Sequence, residues 1–472
     1  MEQIIGREFE YQQLDECINS QRSEFVIVYG RRRIGKTFLI RSYFADKYDF
    51  QYTGTRNMPQ KRQLEKFAKA LQKYSKSQFA PVLKDWYDAF DCLQTYLESL
   101  PKEQRKIIFI DEMPWIDSPK SVFVNALEDF WNSFANMRDD IVLIACGSAT
   151  SWMTDKLVEN QGGLHNRITR KIYLRQFTLS ECRQYLQNKK CTWNDYQYVQ
   201  CYMVLGGVPF YYSLIKPKLS FVQNVDYLFF KDGGVLKNEF NELYNALFSN
   251  ADRYISVVKA LSAKREGLTR EEIIKETKIS GGGLSRLLDN LEKCDFIKGY
   301  NKYKNTNKST IYRLTDFYTY FYFRFQDKFN SGDSEYWTHN FNSPKIYSWQ
   351  GYTFELVCLC HIAQIKQKLG ISGMSTSVSC WRSNSGDDNT QIDLLIERAD
   401  RTINICEIKF SAEPYVITKE YENRLLTRNA IFKAETKTNK ALNITFITVN
   451  GILHNIHSAI IQNEITAEDL FG

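Results

Sequence analysis

Residues 24–37 read EFVIVYGRRRIGKT, an apolar run that ends in Gly-x-x-x-x-Gly-Lys-Thr. Two glycines, a lysine and a hydroxyl side chain at this spacing are what a phosphate chain needs. Gly30 and Gly35 let the backbone turn so that successive N–H groups aim at one anion, and a helix opening near Lys36 adds its positive end. Lys36 is placed to reach β- and γ-phosphates, and Thr37 to offer its hydroxyl to Mg²⁺. Arg33 inside the loop and Phe38 just after it complete the candidate nucleotide-binding set.

A second motif fits the first. Residues 106–112, KIIFIDE, form an apolar strand that ends in two acids. A phosphate-loop enzyme needs one carboxylate there for Mg²⁺, here Asp111, and a second to activate the attacking water, here Glu112. A third strand, IVLIACG at 141–147, leads to Ser148, a candidate sensor of the γ-phosphate. Gly-Ser after a strand also reads as an ordinary turn.

The other chemical constellation lies far downstream. Residues 391–410, QIDLLIERADRTINICEIKF, read as two strands around a polar turn. If the hairpin centres on Asp400, Asp393 falls opposite Glu407, and Lys409 shares the face of Glu407. Two carboxylates and an ammonium on one half-buried face are costly unless a cation bridges the acids. Such a set suits phosphodiester cleavage with Mg²⁺ or Mn²⁺, the acids holding metal and Lys409 assisting the water. It also suits a surface salt-bridge network, since Glu-x-Lys alone recurs at Glu276-Lys278 and Glu435-Lys437.

The elements that must position these residues follow from pattern. The first 175 residues alternate helix and strand, which implies a parallel sheet with helices on both faces. Residues 176–245 read as helices only, with Thr178 and Ser180 as candidate N-caps and Pro209 opening a further helix. Over 246–326 the order is helix, helix, helix, hairpin, with a Thr269/Glu272 capping box. That is the winged-helix order, and its tip carries Lys298, Lys302, Lys304 and Lys308 without an acid, which suits DNA phosphates. The third helix pairs Asp289 and Glu292 with Arg286 and Lys293, a charge balance that equally suits a small packing domain. Residues 327–344 are polar and aperiodic and read as a linker, followed by an α/β unit at 345–472.

Composition bounds these readings. The chain has 472 residues, 43% hydrophobic and 14% aromatic, with net charge +7, which fits about three globular domains. Residues 345–472 hold 13 basic and 14 acidic residues, so the positive excess lies upstream. No apolar stretch approaches a membrane span, the N-terminus lacks the regions of a signal peptide, and the eleven scattered cysteines read as reduced. A cytoplasmic protein is expected. Cys358, Cys360 and His361 have no second cysteine pair at finger spacing, so zinc is not expected.

The order of motifs resembles a family of prokaryotic ATPases first noted in archaea, related to the AAA+ and STAND ATPases. The matching stretches are IIGREFE, YGRRRIGKT, FIDEMPWID, ACGSATSWM, LGGVPFYYSL, WQGYTFELVC, QIDLLIERADRTINICEIKF and ITAEDLF. The resemblance implies an α/β multidomain chain: an AAA+-like P-loop core at 1–175, a helical lid at 176–245, and a winged helix at 246–326. A linker at 327–344 and a C-terminal domain similar to PD-(D/E)XK nucleases complete it. It further implies Arg7 near the adenine, and Glu355 joining Asp393, Glu407 and Lys409. It puts Arg167 near the γ-phosphate, acting within the chain or from a neighbouring subunit of a self-associated form. Asn389-Thr390 stand where that family has a glycine and a small residue. ATP and Mg²⁺ are the expected cofactors. Two functions remain open: an ATP-gated, DNA-associated nuclease, and an ATP-driven switch that binds DNA or protein without cutting.

Overall fold

The computed structural model describes residues 4–101, 103–118, 121–148, 150–159, 162–164, 166–303, 310–329, 332–383 and 390–472. Lys304, Lys308 and Asn389 lie outside the described residues. The chain divides into two compact units, Met1–Gln176 and Phe177–Gly472.

The first unit runs α1 (Glu8–Ile18), β1 (Glu24–Tyr29), α2 (Lys36–Phe44), β2 (Phe50–Thr53), α3 (Gln60–Ser75), α4 (Trp86–Glu98), β3 (Lys106–Asp111), α5 (Phe123–Ser133), β4 (Ile141–Gly147) and β5 (Arg170–Tyr173). Its five strands are all parallel, in the order β2-β3-β4-β1-β5. β1 explains why both faces are covered. Phe25 and Ile27 pack into the cluster that holds Phe67, Trp86 and Trp131, while Val26 and Val28 pack with Leu14, Leu39 and Ile40. Side chains alternate across a strand, so an unbroken apolar run needs a helical layer on each side. Phe25 is fully buried, with its ring 5.0 Å from that of Trp131. Burial of a side chain of this size stabilises by roughly 1.5–3 kcal/mol.

The second unit opens with helices. Thr178 caps Leu179–Asn188 in a reciprocal box with Glu181, and Pro209 stands at the first turn of Pro209–Ser213. Next come the helix Ala251–Ser262, β6 (Leu268–Thr269), the helices Arg270–Thr277 and Gly281–Lys293, β7 (Ile297–Tyr300) and β8 (Ile311–Leu314). The three strands form an antiparallel sheet ordered β6-β8-β7. The Thr269/Glu272 capping box is formed at 2.7 and 3.3 Å.

The expected linker is instead packed structure. Residues 327–344 contain the helix Tyr336–Asn340, whose Trp337 is fully buried. Asp226 holds it by accepting from Trp337 N at 2.8 Å and Thr338 N at 3.0 Å. The segment looks polar because its apolar contacts are few and large, not periodic.

The last part carries the helix Pro344–Cys360, then β9 (Thr376–Arg382), β10 (Gln391–Arg398), β11 (Thr402–Lys409), β12 (Tyr415–Val416), the helix Lys419–Thr436, β13 (Ala441–Thr448), β14 (Ile452–Leu453) and β15 (Asn463–Ile465). Its main sheet is ordered β15-β13-β11-β10-β9, antiparallel across β9, β10 and β11 and parallel across β11, β13 and β15. Among the described residues no helix is long and apolar enough to cross a membrane. None of the eleven cysteines is in a disulfide.

Candidate functional site

The loop between β1 and α2 takes the shape that phosphate binding requires. Gly30 has φ +142 and Gly35 φ +88, and Arg33 also sits at positive φ. A Cβ on Gly30 would lie 2.5 Å from the Leu174 carbonyl oxygen, so only glycine lets the loop pass the end of β5. Lys36 is buried, and its Nζ donates to the carbonyls of Gly30 (3.0 Å) and Arg31 (2.8 Å). Its ammonium thus lies inside the loop, where phosphate oxygens compete favourably with backbone carbonyls.

Three strand ends converge beside it. Thr37 Oγ1 donates to Asp111, 3.2 and 3.1 Å from the two carboxylate oxygens. Burial, with Glu112 next in sequence, pushes the Asp111 carboxyl above its usual range, against the hydrogen bond from Thr37. A hydroxyl and a carboxylate at this distance fit Mg²⁺, which takes one or two carboxylates and fills its remaining positions with phosphate and water. Glu112 occupies the left-handed region at φ 47, and Ser148 Oγ donates to it at 2.8 and 3.1 Å. Arg7 is buried, with Nη2 donating to the Arg175 carbonyl at 3.0 Å. Phe38 is exposed, and Arg167 is exposed on the turn before β5.

One contributor carries little sequence signal. Gly54, one residue after β2, donates its N–H to the Asp111 carbonyl at 2.9 Å. A Cβ there would stand 2.5 Å from the Glu112 carbonyl oxygen and 2.8 Å from Ile116. A glycine just past a strand reads as a plain terminator, and its partner lies 57 residues away.

The downstream acids are arranged differently from expectation. The β10–β11 ladder pairs Leu394 with Cys406 and ends there, one step short of Asp393 and Glu407. Yet the acids do not gather around one point. Glu407 is bound by Arg428, Tyr421 and Lys409, the last at 2.8 Å. Burial works against its charge, but Arg428 and Lys409 outweigh this and hold the carboxyl at about 2. Asp393 pairs with Arg313 at 3.4 Å, and Glu355 with Arg265 at 3.3 Å. Burial and the charge of Asp393 push Glu355 up to about 8. Among the described residues no group of three or more His, Cys, Asp or Glu side chains could hold a metal ion. In the structure each of the three expected ligands carries a cation instead: Glu355 pairs with Arg265, Asp393 with Arg313, and Glu407 with Arg428 and Lys409. His361 also has a structural partner: its Nε2 accepts from Leu179 N at 2.9 Å, and burial lowers its pKa to about 4.

Residues 4–215 match a family described as an ATPase domain predominantly from Archaea. The chain is 25% identical over 331 residues to the uncharacterized protein MJECL04 of Methanocaldococcus jannaschii, covering 68% of each. Among solved structures it is similar to the Walker-type ATPase PABY2304 of Pyrococcus abyssi, at 18% identity and TM-score 0.47. That likeness covers 68% of this chain and 96% of that one. It is also similar to the ORC2 protein of Aeropyrum pernix in its ADPNP–ADP complexes, at 13% identity and TM-score 0.41, covering 67% and 91%.

Proposed function

We propose that the first unit binds ATP with Mg²⁺ and hydrolyses it, and that the rest of the chain makes this cycle a switch on DNA. The observation that carries the nucleotide reading is the contact of Thr37 with Asp111 beside the Glu112–Ser148 pair. In this reading the loop amides and Lys36 bind the β- and γ-phosphates. Thr37 and Asp111 hold Mg²⁺, which neutralises charge on the transferred phosphoryl group. Glu112 orients the attacking water and takes its proton, and Ser148 reports the γ-phosphate. Arg7 and Phe38 line the approach to the base. Turnover of ATP by the purified chain, lost in Glu112→Gln, tests this; equal turnover in both overturns the assignment of the base.

DNA association is supported by the three helices and the β6-β8-β7 sheet, an order that suits a winged helix, and by the lysines around Lys298 and Lys302. The α/β part that carries Asp393, Glu407 and Lys409 supports a nuclease-like domain. A second reading, a switch that never cuts, is favoured by the arginine on each acid. Incubation with Mn²⁺, ATP and single- and double-stranded DNA and RNA, beside Asp393→Ala, separates the two. Metal-dependent cutting that the variant lacks selects the nuclease, and no cutting selects the switch.

A further inference from the structure

One stretch of the first unit holds the chain's whole charge imbalance. Residues 54–84 contain eight basic residues and one acid, an excess equal to the net charge of +7 over all 472 residues. The rest of the chain is neutral in sum. The stretch is built around α3 (Gln60–Ser75).

This helix sorts its residues by face. Gln63, Leu64, Phe67, Ala68 and Leu71 are buried, and Phe67 packs into the cluster of Trp86 and Trp131. Arg62, Lys66, Lys69 and Lys73 are exposed and recur at steps of four, three and four, so they form one row on the opposite face. Lys76 continues the row as the C-cap. Gln63 fixes which way the row points. Its Nε2 donates to the carbonyls of Thr55 at 2.6 Å and Trp115 at 2.9 Å, and its Oε1 accepts from the Tyr52 hydroxyl at 2.6 Å. The helix cannot roll without breaking these buried bonds.

A solvated helix face ordinarily alternates acids with bases. Here Glu65 pairs with Arg62 at 2.7 Å, and Lys66 turns back to Thr53 and Thr55. Among the described residues Lys69, Lys73 and Lys76 have no hydrogen-bond or ion-pair partner. Like charges three and four apart repel and weaken a helix, and a line of anionic groups relieves that repulsion. From Arg62 to Lys73 the row spans about 16 Å at 1.5 Å per residue. That is about five steps of a duplex strand. A lipid surface fits less well, because it takes a helix's apolar face along with its cations, and α3 buries that face in the core.

We propose that α3 is a binding surface for nucleic acid, with Lys69, Lys73 and Lys76 lying against the phosphates of one backbone. It is a second contact, in the first unit, and does not rest on the hairpin at Lys298 and Lys302 in the other.

The test is fluorescence anisotropy of the full chain with end-labelled single- and double-stranded DNA and RNA across a salt series. The probes lack terminal phosphates, so the loop between β1 and α2 offers no rival site. Lys69→Gln/Lys73→Gln/Lys76→Gln removes the three partnerless ammonium groups. Glutamine is close to lysine in helix propensity, and circular dichroism checks the fold. The parent should bind at least one probe, and the charge-removing variant should bind it about tenfold more weakly at about 0.1 M salt, with a salt slope smaller by about two to three. Lys69→Arg/Lys73→Arg/Lys76→Arg keeps the charges and should retain both affinity and slope. Equal affinity and slope in the parent and the charge-removing variant overturn the proposal, as does an equal loss in the charge-keeping variant. A parent that binds none of the probes also overturns it; binding to phosphatidylserine vesicles through the same lysines would then assign the surface to a membrane. Lys302→Gln is carried in parallel, and a loss there with none in the α3 variant assigns nucleic acid to the hairpin alone.

Discussion

Ser148 Oγ lies 2.8 Å from Glu112 Oε2, so the strand end after β4 holds the residue assigned as base at the end of β3. Both the hydroxyl and the backbone N–H of Ser148, the latter at 3.3 Å, therefore tie two neighbouring strand ends together at the place where the γ-phosphate is expected. A phosphate oxygen that competes for the serine hydroxyl frees the carboxylate. Ser148→Ala should keep ATP binding, since the loop is untouched, but lower turnover by about tenfold. Equal turnover in variant and wild type would reduce Ser148 to a turn residue.

Lys36→Ala removes the one ammonium that lies inside the loop. Nucleotide binding should be lost or greatly weakened, as measured by calorimetry with a slowly hydrolysed analogue. Glu112→Gln should bind with near-normal affinity and turn over at least about a hundredfold more slowly. Loss of binding in Glu112→Gln would show that the side chain positions the loop.

Gly54→Ala places a methyl 2.5 Å from the Glu112 carbonyl. The overlap is with backbone, so β2 or the segment after Asp111 must shift. A cost of about 1–3 kcal/mol is expected, seen as a lower Tm, with slower ATP turnover because Glu112 moves. An unchanged rate beside a lowered Tm would separate packing from catalysis here.

His361 gives a pH signature. Burial lowers its pKa to about 4, and its neutral Nε2 accepts from Leu179 N. The unfolded chain therefore binds this proton first as pH falls. Stability from this group is complete above about 6.5 and is lost between about 6.5 and 4, by roughly 3 kcal/mol at most. Glu355 acts oppositely, costing stability as pH rises from about 4.5 to 8, and Glu407 loses its contribution only between about 4.5 and 2. The difference in melting between wild type and His361→Gln isolates the histidine: it should narrow as pH falls from 6.5 to 4. A constant difference contradicts the assignment.

Changing Lys302, Lys304 and Lys308 to Gln should weaken DNA binding and reduce its salt slope by up to about three phosphate contacts. Fluorescence anisotropy across a salt series checks this. An unchanged slope assigns the hairpin to docking alone.

The nucleotide site was legible because its signals are local. Gly30, Gly35, Lys36 and Thr37 lie within eight residues, and Asp111 and Glu112 end a plain apolar strand. The hairpin register was legible too, since a turn centred on Asp400 determines which residues face each other. The cations on the acids were not. Arg265 and Glu355 are 90 positions apart and Arg313 and Asp393 are 80 apart, and neither arginine breaks a pattern in its own segment. Trp337 was hidden for a related reason: one large ring can anchor a segment whose other residues are polar.

The bond from Leu179 N to His361 has a consequence for how such a chain is inherited. It joins the start of the helices after the first unit to the helix that begins the last α/β part, and Arg183 reaches Glu468 nearby at 3.3 Å. Cutting between them exposes a buried imidazole and an unpaired amide at once. Residues 345–472 are therefore not a cassette that recombination can lift out intact.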